Sequence, residues 1–243
     1  MEDKRILKER ALAQYRVHTT ITRPDRELVR AFQEYPAAAV SDALRKRQTL
    51  PFQIKSVHVP ARRMVGPALT VLASAGDELL TLKAFELAQP GDVVVIAGAW
   101  NDQSSVLGGV MSWMAKVRGI AGIVTDGLVR DLEQITDSEL PIHARGVTPL
   151  APSHDVPPGD LNATVCIGQA VITPGDLVVA DCDGVVVVPS EVLQKVRTTV
   201  DAIIARDDKW IRDLKETNSI DEILETCAVD ALLSGGERVC SLK

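Results

Sequence analysis

Arg130 and Asp131 stand side by side at the end of the run Asp126-Gly127-Leu128-Val129-Arg130-Asp131. The run follows an apolar stretch, IAGIVT, that reads as a buried strand. Strand ends followed by glycine-containing loops are where α/β folds place functional side chains. A carboxylate there can bind a hard divalent cation through oxygen. A guanidinium beside it can fork a carboxylate or a keto-acid oxygen. The dipeptide is also what a surface turn with a local salt bridge contains, and taken alone it favours that plainer reading.

A second candidate is Leu107-Gly108-Gly109-Val110-Met111, at the start of a helical pattern. Paired glycines at a helix start expose backbone N–H groups and let an anion approach closely. Tight helix–strand packing or a flexible turn would explain them as well. The pair is neither a GxGxxG dinucleotide fingerprint nor a GxxxxGK[ST] phosphate loop. A third candidate, Ala180-Asp181-Cys182-Asp183-Gly184-Val185, offers two acids but reads mainly as a tight hairpin turn on Asp183-Gly184. No candidate base lies near Cys182, so it reads as an inert packed thiol.

The elements that must hold these residues alternate. Thr22 is the expected cap of a helix over Arg23–Tyr35, stopped by Pro36, and a second short helix is expected from Ser41. MVGPALTVLA (64–73) reads as a strand, LLTLKAFELA (79–88) as a helix and DVVVIAGA (92–99) as a strand covered on both faces. The run VMSWMAKVRG reads as a helix closed by Gly119, and 120–127 as another strand. That alternation predicts an α/β fold. Between 141 and 189 turns separate short strands: ATVCIG, QAVIT, DLVVAD and GVVVVP. Ser190 is the expected cap of a long helix with Val192, Val196, Val200, Ile203 and Ile204 as its apolar stripe, and one more helix is expected in the tail. No repeat or low-complexity linker interrupts the chain, which favours one domain (1–243) with a core at about 40–190 and helical arms on either side.

Composition narrows the classes of function. The 243 residues carry 27 Lys and Arg against 33 Asp and Glu, a net charge of −6, so no basic excess is available to neutralise nucleic-acid phosphates. Aromatics are only 3 %, so the core must come from Val, Leu, Ile and Ala. No apolar run reaches the roughly 18 residues of a membrane span. The charged start MEDKRILKERALAQYRVH has no apolar signal core. Four scattered cysteines without a CxxC pair, and four scattered histidines without HxH or HExxH, point to a reducing cytoplasm and away from a zinc centre.

Taken together, several segments resemble one family. They are GPALTVLASAGDELLTLKAFELAQPGDVVVIAG (66–98), LGGVMSWMAKVRGIAGIVTDGLVRDL (107–132), ARGVTPLAP (144–152) and PPGDLNATVCIGQAVITPGDLVVADCDGVVVVP (157–189). VSDALRK (40–46) resembles its N-terminal helix. The family is that of the regulator of ribonuclease E activity A and of the 4-hydroxy-4-methyl-2-oxoglutarate aldolases. The resemblance implies a swivelling phosphohistidine-domain-like ββα sandwich and a homotrimer or stacked hexamer with sites at subunit interfaces. It places a metal aspartate at Asp131 and the arginine that holds a pyruvyl group at Arg130. It also places substrate-gripping amides at Gly108, Gly109, Val110 and Met111. The metal would be Mg2+ or Mn2+, which an oxygen site admits equally.

That resemblance implies a metal-dependent lyase that releases pyruvate from a small oxo-dicarboxylic acid. One residue departs from the pattern. The aldolases carry an acid where this chain has Gly109, 22 residues before Asp131. A retro-aldol step needs a base for the hydroxyl proton, whereas decarboxylation of oxaloacetate starts from an ionised carboxylate. Decarboxylase activity is therefore the more secure expectation. Asp126, Asp102, or Asp207 and Asp208 from a neighbouring copy are the substitute bases to consider, and Asp77 reads as a turn residue. The alternative is a non-catalytic regulator that binds a ribonuclease. A methyltransferase role has no glycine-rich nucleotide loop to support it.

Overall fold

Eight consecutive residues, Met64 to Val71, are buried, and with Leu72 they form the strand on which the fold is built. A computed structural model describes residues 15–73, 77–98, 104–152, 159–217 and 219–229. The strands are β1 (Arg16–Val17), β2 (Lys55–Ser56), β3 (Met64–Leu72), β4 (Val93–Ala97), β5 (Ser105–Leu107), β6 (Gly122–Thr125) and β7 (Leu128–Val129). They continue with β8 (Ile142–Ala144), β9 (Gly146–Val147), β10 (Asp160–Leu161), β11 (Val165–Ile167), β12 (Ala170–Ile172), β13 (Leu177–Ala180) and β14 (Val185–Val188). The helices are α1 (Arg26–Ala31), α2 (Ala37–Ala43), α3 (Leu79–Leu87), α4 (Gly109–Arg118), α5 (Leu132–Ser138), α6 (Leu193–Thr217) and α7 (Asp221–Thr226). The chain divides into two compact units at Val200.

In the first unit β3, β4, β6 and β8 run parallel in that order, and β2 closes the far edge antiparallel to β8. The other edge of β3 is shared. Its first half, Met64–Pro67, pairs with β13, and Val71–Leu72 pairs with β10. Strands β4, β13 and β14 are buried along their whole length, which suits continuous Val and Ile runs covered on both faces. One apolar cluster (Leu69, Phe85, Ile96, Ile123, Ile135) and a second (Ile54, Val95, Ile167, Val178, Val187) fill the core. Each fully buried Val, Leu or Ile contributes about 1.5–3 kcal/mol relative to exposure. This is a mixed α/β fold, and the middle alternation and the β-rich 141–189 stretch stand as expected.

Several local expectations change. Asp25, not Thr22, caps the first helix, its carboxylate accepting from the amides of Glu27 and Leu28, because the chain stays extended until Pro24 has passed. The second helix starts at Ala37, earlier than Ser41, and the Asp181 carboxylate, reaching from another loop, accepts the Ala37 amide at 2.8 Å. Arg45 and Lys46 then take positive φ and stop the helix where a continuation was expected. Ser190 opens a single 3-10 turn before α6 and its amide donates to Asp176, so its side chain caps nothing. The β13–β14 connection is the expected tight hairpin turn, over 181–184, with the Asp181 amide donating to the Gly184 carbonyl at 3.0 Å, but it leaves Cys182 exposed instead of packed. Asp77 is a buried tie, accepting from the Leu79 amide and the Tyr15 hydroxyl.

Residues 15–23 of the N-terminal arm lie along the core. Arg16 pairs with Asp160, Arg23 with buried Asp92, and β1 aligns parallel to β10. In α6, Leu193, Val196 and Val200 are buried, continuing the first unit. In the second unit, Lys209 bridges Asp213 on α6 and Glu222 on α7, and Arg206 lies over the Trp210 ring at 4.7 Å.

Candidate active site

The site is assembled by two short parallel strands. β5 and β7 lie side by side, with Leu107 opposite Val129, and the Arg130 amide donates to the Leu107 carbonyl at 3.1 Å. The chain leaves both strands at the same end. From β5 it passes through Gly108 directly into α4, and from β7 through Arg130 and Asp131 directly into α5. Two strand ends in register therefore deliver two helix N-termini to one place, each with its unpaired amides and partial positive charge.

Asp131 joins them. Its backbone sits at φ 59°, ψ 49°, the left-handed region that aspartate tolerates better than most residues. Its side chain does not cap its own helix α5. It turns to α4, where Oδ2 accepts the Gly109 amide at 3.1 Å, and Arg130 Nε lies 3.4 Å from the same oxygen. The second carboxylate oxygen takes no partner among the described residues, and the side chain is 40 % exposed. Arg130 Nε is buried without a hydrogen bond, while the guanidinium as a whole is partly exposed.

Both glycines are required by contact, not by backbone angle. A Cβ on Gly108 would stand 2.5 Å from Asp131 Oδ2 and 3.1 Å from Arg130 Nε. A Cβ on Gly109 would overlap the Gln134 side chain, with Gln134 Cδ at 2.8 Å. Gly108 has no side chain to cap α4, so the amides of Val110 and Met111, second and third in the helix, keep no capping partner. Of the four amides expected to grip a ligand, that of Gly109 is already given to Asp131. The Met111 side chain is buried below the helix, and that of Val110 is exposed.

Asp126 is placed differently. It is buried at the end of β6, and its carboxylate accepts from the Gly98 amide at the end of β4, at 3.2 Å. Arg145 Nε donates to its carbonyl. Asp102 lies outside the described residues. Asp207 pairs with neighbouring Arg206, and Asp208 is exposed; both belong to the second unit.

The donor set fits a hard divalent ion at Asp131: a carboxylate with one oxygen free of partners among the described residues, on a partly exposed side chain. Such ions commonly take one or two protein carboxylates and complete their shell with water and ligand oxygens. Among the described residues, the one group of three possible ligands is elsewhere, at Asp181, Cys182 and Asp183. The Asp181 carboxylate there is occupied by the amides of Ala37 and Asp183. The residue that the sequence did not reveal is Gln134. Its only trace is a glycine where a helix would prefer another residue, and its position depends on how α4 meets α5.

A family model described as RraA-like, Aldolase/RraA, matches residues 37–187. A protein of Halalkalibacterium halodurans, named as a candidate 4-hydroxy-4-methyl-2-oxoglutarate aldolase, is 38 % identical over 175 residues, 70 % of this chain and 82 % of that protein. A crystal structure of an uncharacterised Pseudomonas syringae protein superposes with a TM-score of 0.72 at 25 % identity, covering 83 % of this chain and 98 % of that one. Streptomyces coelicolor RraAS2, described as an unusual member of the RNase ES inhibitor RraA protein family, superposes with a TM-score of 0.69 at 30 % identity. It covers 78 % of this chain and 96 % of its own. Among the described residues, no helix is long and apolar enough to cross a membrane.

Proposed function

Because the chain belongs to the RraA-like (Aldolase/RraA) family, we propose that it is a divalent-metal-dependent carbon–carbon lyase acting on small oxo-dicarboxylic acids and releasing pyruvate. The observation that carries this reading is the Asp131 carboxylate held by the first amide of α4, beside Arg130, with one oxygen facing outward. Mg2+ or Mn2+ on that oxygen would supply positive charge where the keto oxygen becomes negative. Arg130 forks the keto-acid end of the substrate and offsets the same developing charge. The Val110 and Met111 amides receive its carboxylate at the helix N-terminus. The breaking C–C bond leaves its electron pair on the pyruvate enolate, which then takes a proton. In oxaloacetate the departing fragment is carbon dioxide, and in 4-hydroxy-4-methyl-2-oxoglutarate it is a second pyruvate.

The two reactions differ in their need for a base. No acid stands at position 109, and the space its side chain would fill holds Gln134. Asp126, at the end of β6, is the acid we assign as the substitute. Decarboxylation of oxaloacetate therefore ranks above aldol cleavage. The reading carries with it a phosphohistidine-domain-like sandwich, a cytoplasmic location and a homo-oligomer, trimer or hexamer. Support for the last is an exposed stripe on α4, Val110, Trp113, Met114 and Val117, at helical spacing and starting at the site.

Pyruvate release from both substrates, with Mg2+ and with chelator, tests the proposal. Arg130→Ala should reduce kcat/KM on oxaloacetate at least a hundredfold, and an Arg130→Ala enzyme as active as wild type would refute the site. The second reading, a binding partner of a ribonuclease, draws on the likeness to the Streptomyces structure. Capture of ribonuclease E by a chain that releases no pyruvate would favour it.

A further inference from the structure

We propose that Thr148 contacts the substrate: its hydroxyl donates to the far carboxylate of an oxo-dicarboxylic acid and sets a preference for such two-ended acids over pyruvate. The inference rests on the lyase site proposed above and deepens it. Two strand ends build that site, and a third stands in register with them. β9 runs parallel to β7 on the side away from β5, with Val147 opposite Val129. The Thr148 amide donates to the Val129 carbonyl at 2.9 Å, as the Arg130 amide donates to that of Leu107 at 3.1 Å. The ladder therefore runs one residue past the strands, and Gly108, Arg130 and Thr148 form one row across three chain ends.

Residues in one row of a sheet share a face, as do residues two apart along a strand. Contacts on this small sheet agree. A Cβ on Gly108 would stand 3.1 Å from Arg130 Cγ and Nε, and one on Gly146 would stand 3.3 Å from Cδ2 of Leu128, two residues before Arg130. The Arg130 side chain leans over Gly108, toward the start of α4, which leaves its other flank to Thr148. A hydroxyl offers one donor and two acceptor pairs. The Thr148 oxygen accepts the Leu150 amide at 3.3 Å, which orients the group, and its proton has no acceptor among the described residues. The side chain is partly exposed, so a ligand can reach it. Neighbouring strands lie about 4.8 Å apart, so the row from Gly108 to Thr148 spans about 10 Å, room for a small diacid with a hydrogen bond at each end. Pyruvate ends in a methyl group and offers the hydroxyl nothing.

Thr148→Val keeps the shape of the side chain and removes the hydroxyl, whereas Thr148→Ser keeps the hydroxyl. Titration calorimetry with Mg2+ would measure binding of 2-oxoglutarate, a diacid, and of pyruvate to wild type, both variants and Arg130→Ala. The expected result is about fivefold weaker 2-oxoglutarate binding in Thr148→Val, the worth of one hydrogen bond. Pyruvate binding should stay within twofold, and Thr148→Ser should bind both ligands within twofold of wild type. On oxaloacetate, Thr148→Val should raise KM without lowering kcat, because the carboxylate that the hydroxyl holds departs as neutral carbon dioxide and needs the bond less in the transition state. Binding that depends on Arg130 but weakens equally for both ligands in Thr148→Val, or weakens less than twofold for 2-oxoglutarate, would overturn the role of Thr148 alone. Wild type that binds neither ligand, or Arg130→Ala that binds both as wild type does, would overturn the site reading and this proposal with it.

Discussion

The amide of Gly109 donates to Asp131 Oδ2 at 3.1 Å, so the first residue of α4 is fastened to the residue that precedes α5. The bond fixes the carboxylate against two helix starts, leaves its other oxygen outward, and helps hold Asp131 in the left-handed region.

Separating the charge of Asp131 from its geometry is the first prediction. Asp131→Asn keeps an oxygen for the Gly109 amide and a side chain that tolerates positive φ. Its melting temperature should lie within about 2 °C of wild type, the shift of a change below 1 kcal/mol. Asp131→Ala should cost about 1–2 kcal/mol from its backbone conformation. Both should lose Mg2+ binding, read by calorimetry on the pure protein. Retained Mg2+ affinity in either would move the metal elsewhere.

Gly109 and Gln134 should behave as one packing unit. Gly109→Ala forces the Gln134 stem aside and should destabilise by about 1–3 kcal/mol, despite alanine's better helix propensity. Gln134→Gly empties the space. The double variant should then be more stable than the two single losses add up to, by at least 0.5 kcal/mol in a denaturation cycle. Strict additivity would mean that α4 and α5 do not meet as described.

Much of this was legible in the residues. The paired glycines mark a bare helix start beside the strand end DGLVRD, as the structure has them, and the alternating Val and Leu runs predict its α/β fold. What the chain did not announce came from contacts distant in sequence. The start of α2 depends on Asp181, 144 residues away, and Asp77 answers to Tyr15. Gln134 reads as an ordinary polar helix residue until α4 and α5 are packed. The expected Thr22 and Ser190 caps failed for a local reason: nearby Asp25 and Pro189 redirect the chain at those helix starts.

Two buried histidines predict a pH dependence of stability. Burial pushes the His143 ring below its ordinary value of 6.5, with the Asp181 carbonyl partly opposing, and burial likewise lowers His58. Both side chains take up a proton at lower pH in the fold than in the unfolded chain, which does so near 6.5. Stability should therefore be full above that pH and fall as the pH drops below it, by up to about 1.4 kcal/mol per unit for each group. Buried Asp176, held above its usual 3.8, has the opposite sign and acts at lower pH. Urea denaturation between pH 7.5 and 5.5 should show the decline, and His143→Gln should flatten it. A stability independent of pH across that range would contradict the assignment.

The exposed α4 stripe predicts self-association. Sedimentation should give a trimer or a hexamer for wild type, and Trp113→Asp should shift it toward monomer while the circular dichroism of the fold is kept. A wild type that sediments as a monomer at micromolar concentration would remove this part of the account.

The most direct measurement is pyruvate release from oxaloacetate and from 4-hydroxy-4-methyl-2-oxoglutarate by wild type and Asp131→Asn, with spontaneous metal-catalysed decay subtracted. The account predicts Mg2+-dependent turnover that Asp131→Asn loses at least a hundredfold, with oxaloacetate the better substrate by kcat/KM. Turnover that survives chelator or Asp131→Asn, or no turnover of either substrate above background, would contradict it.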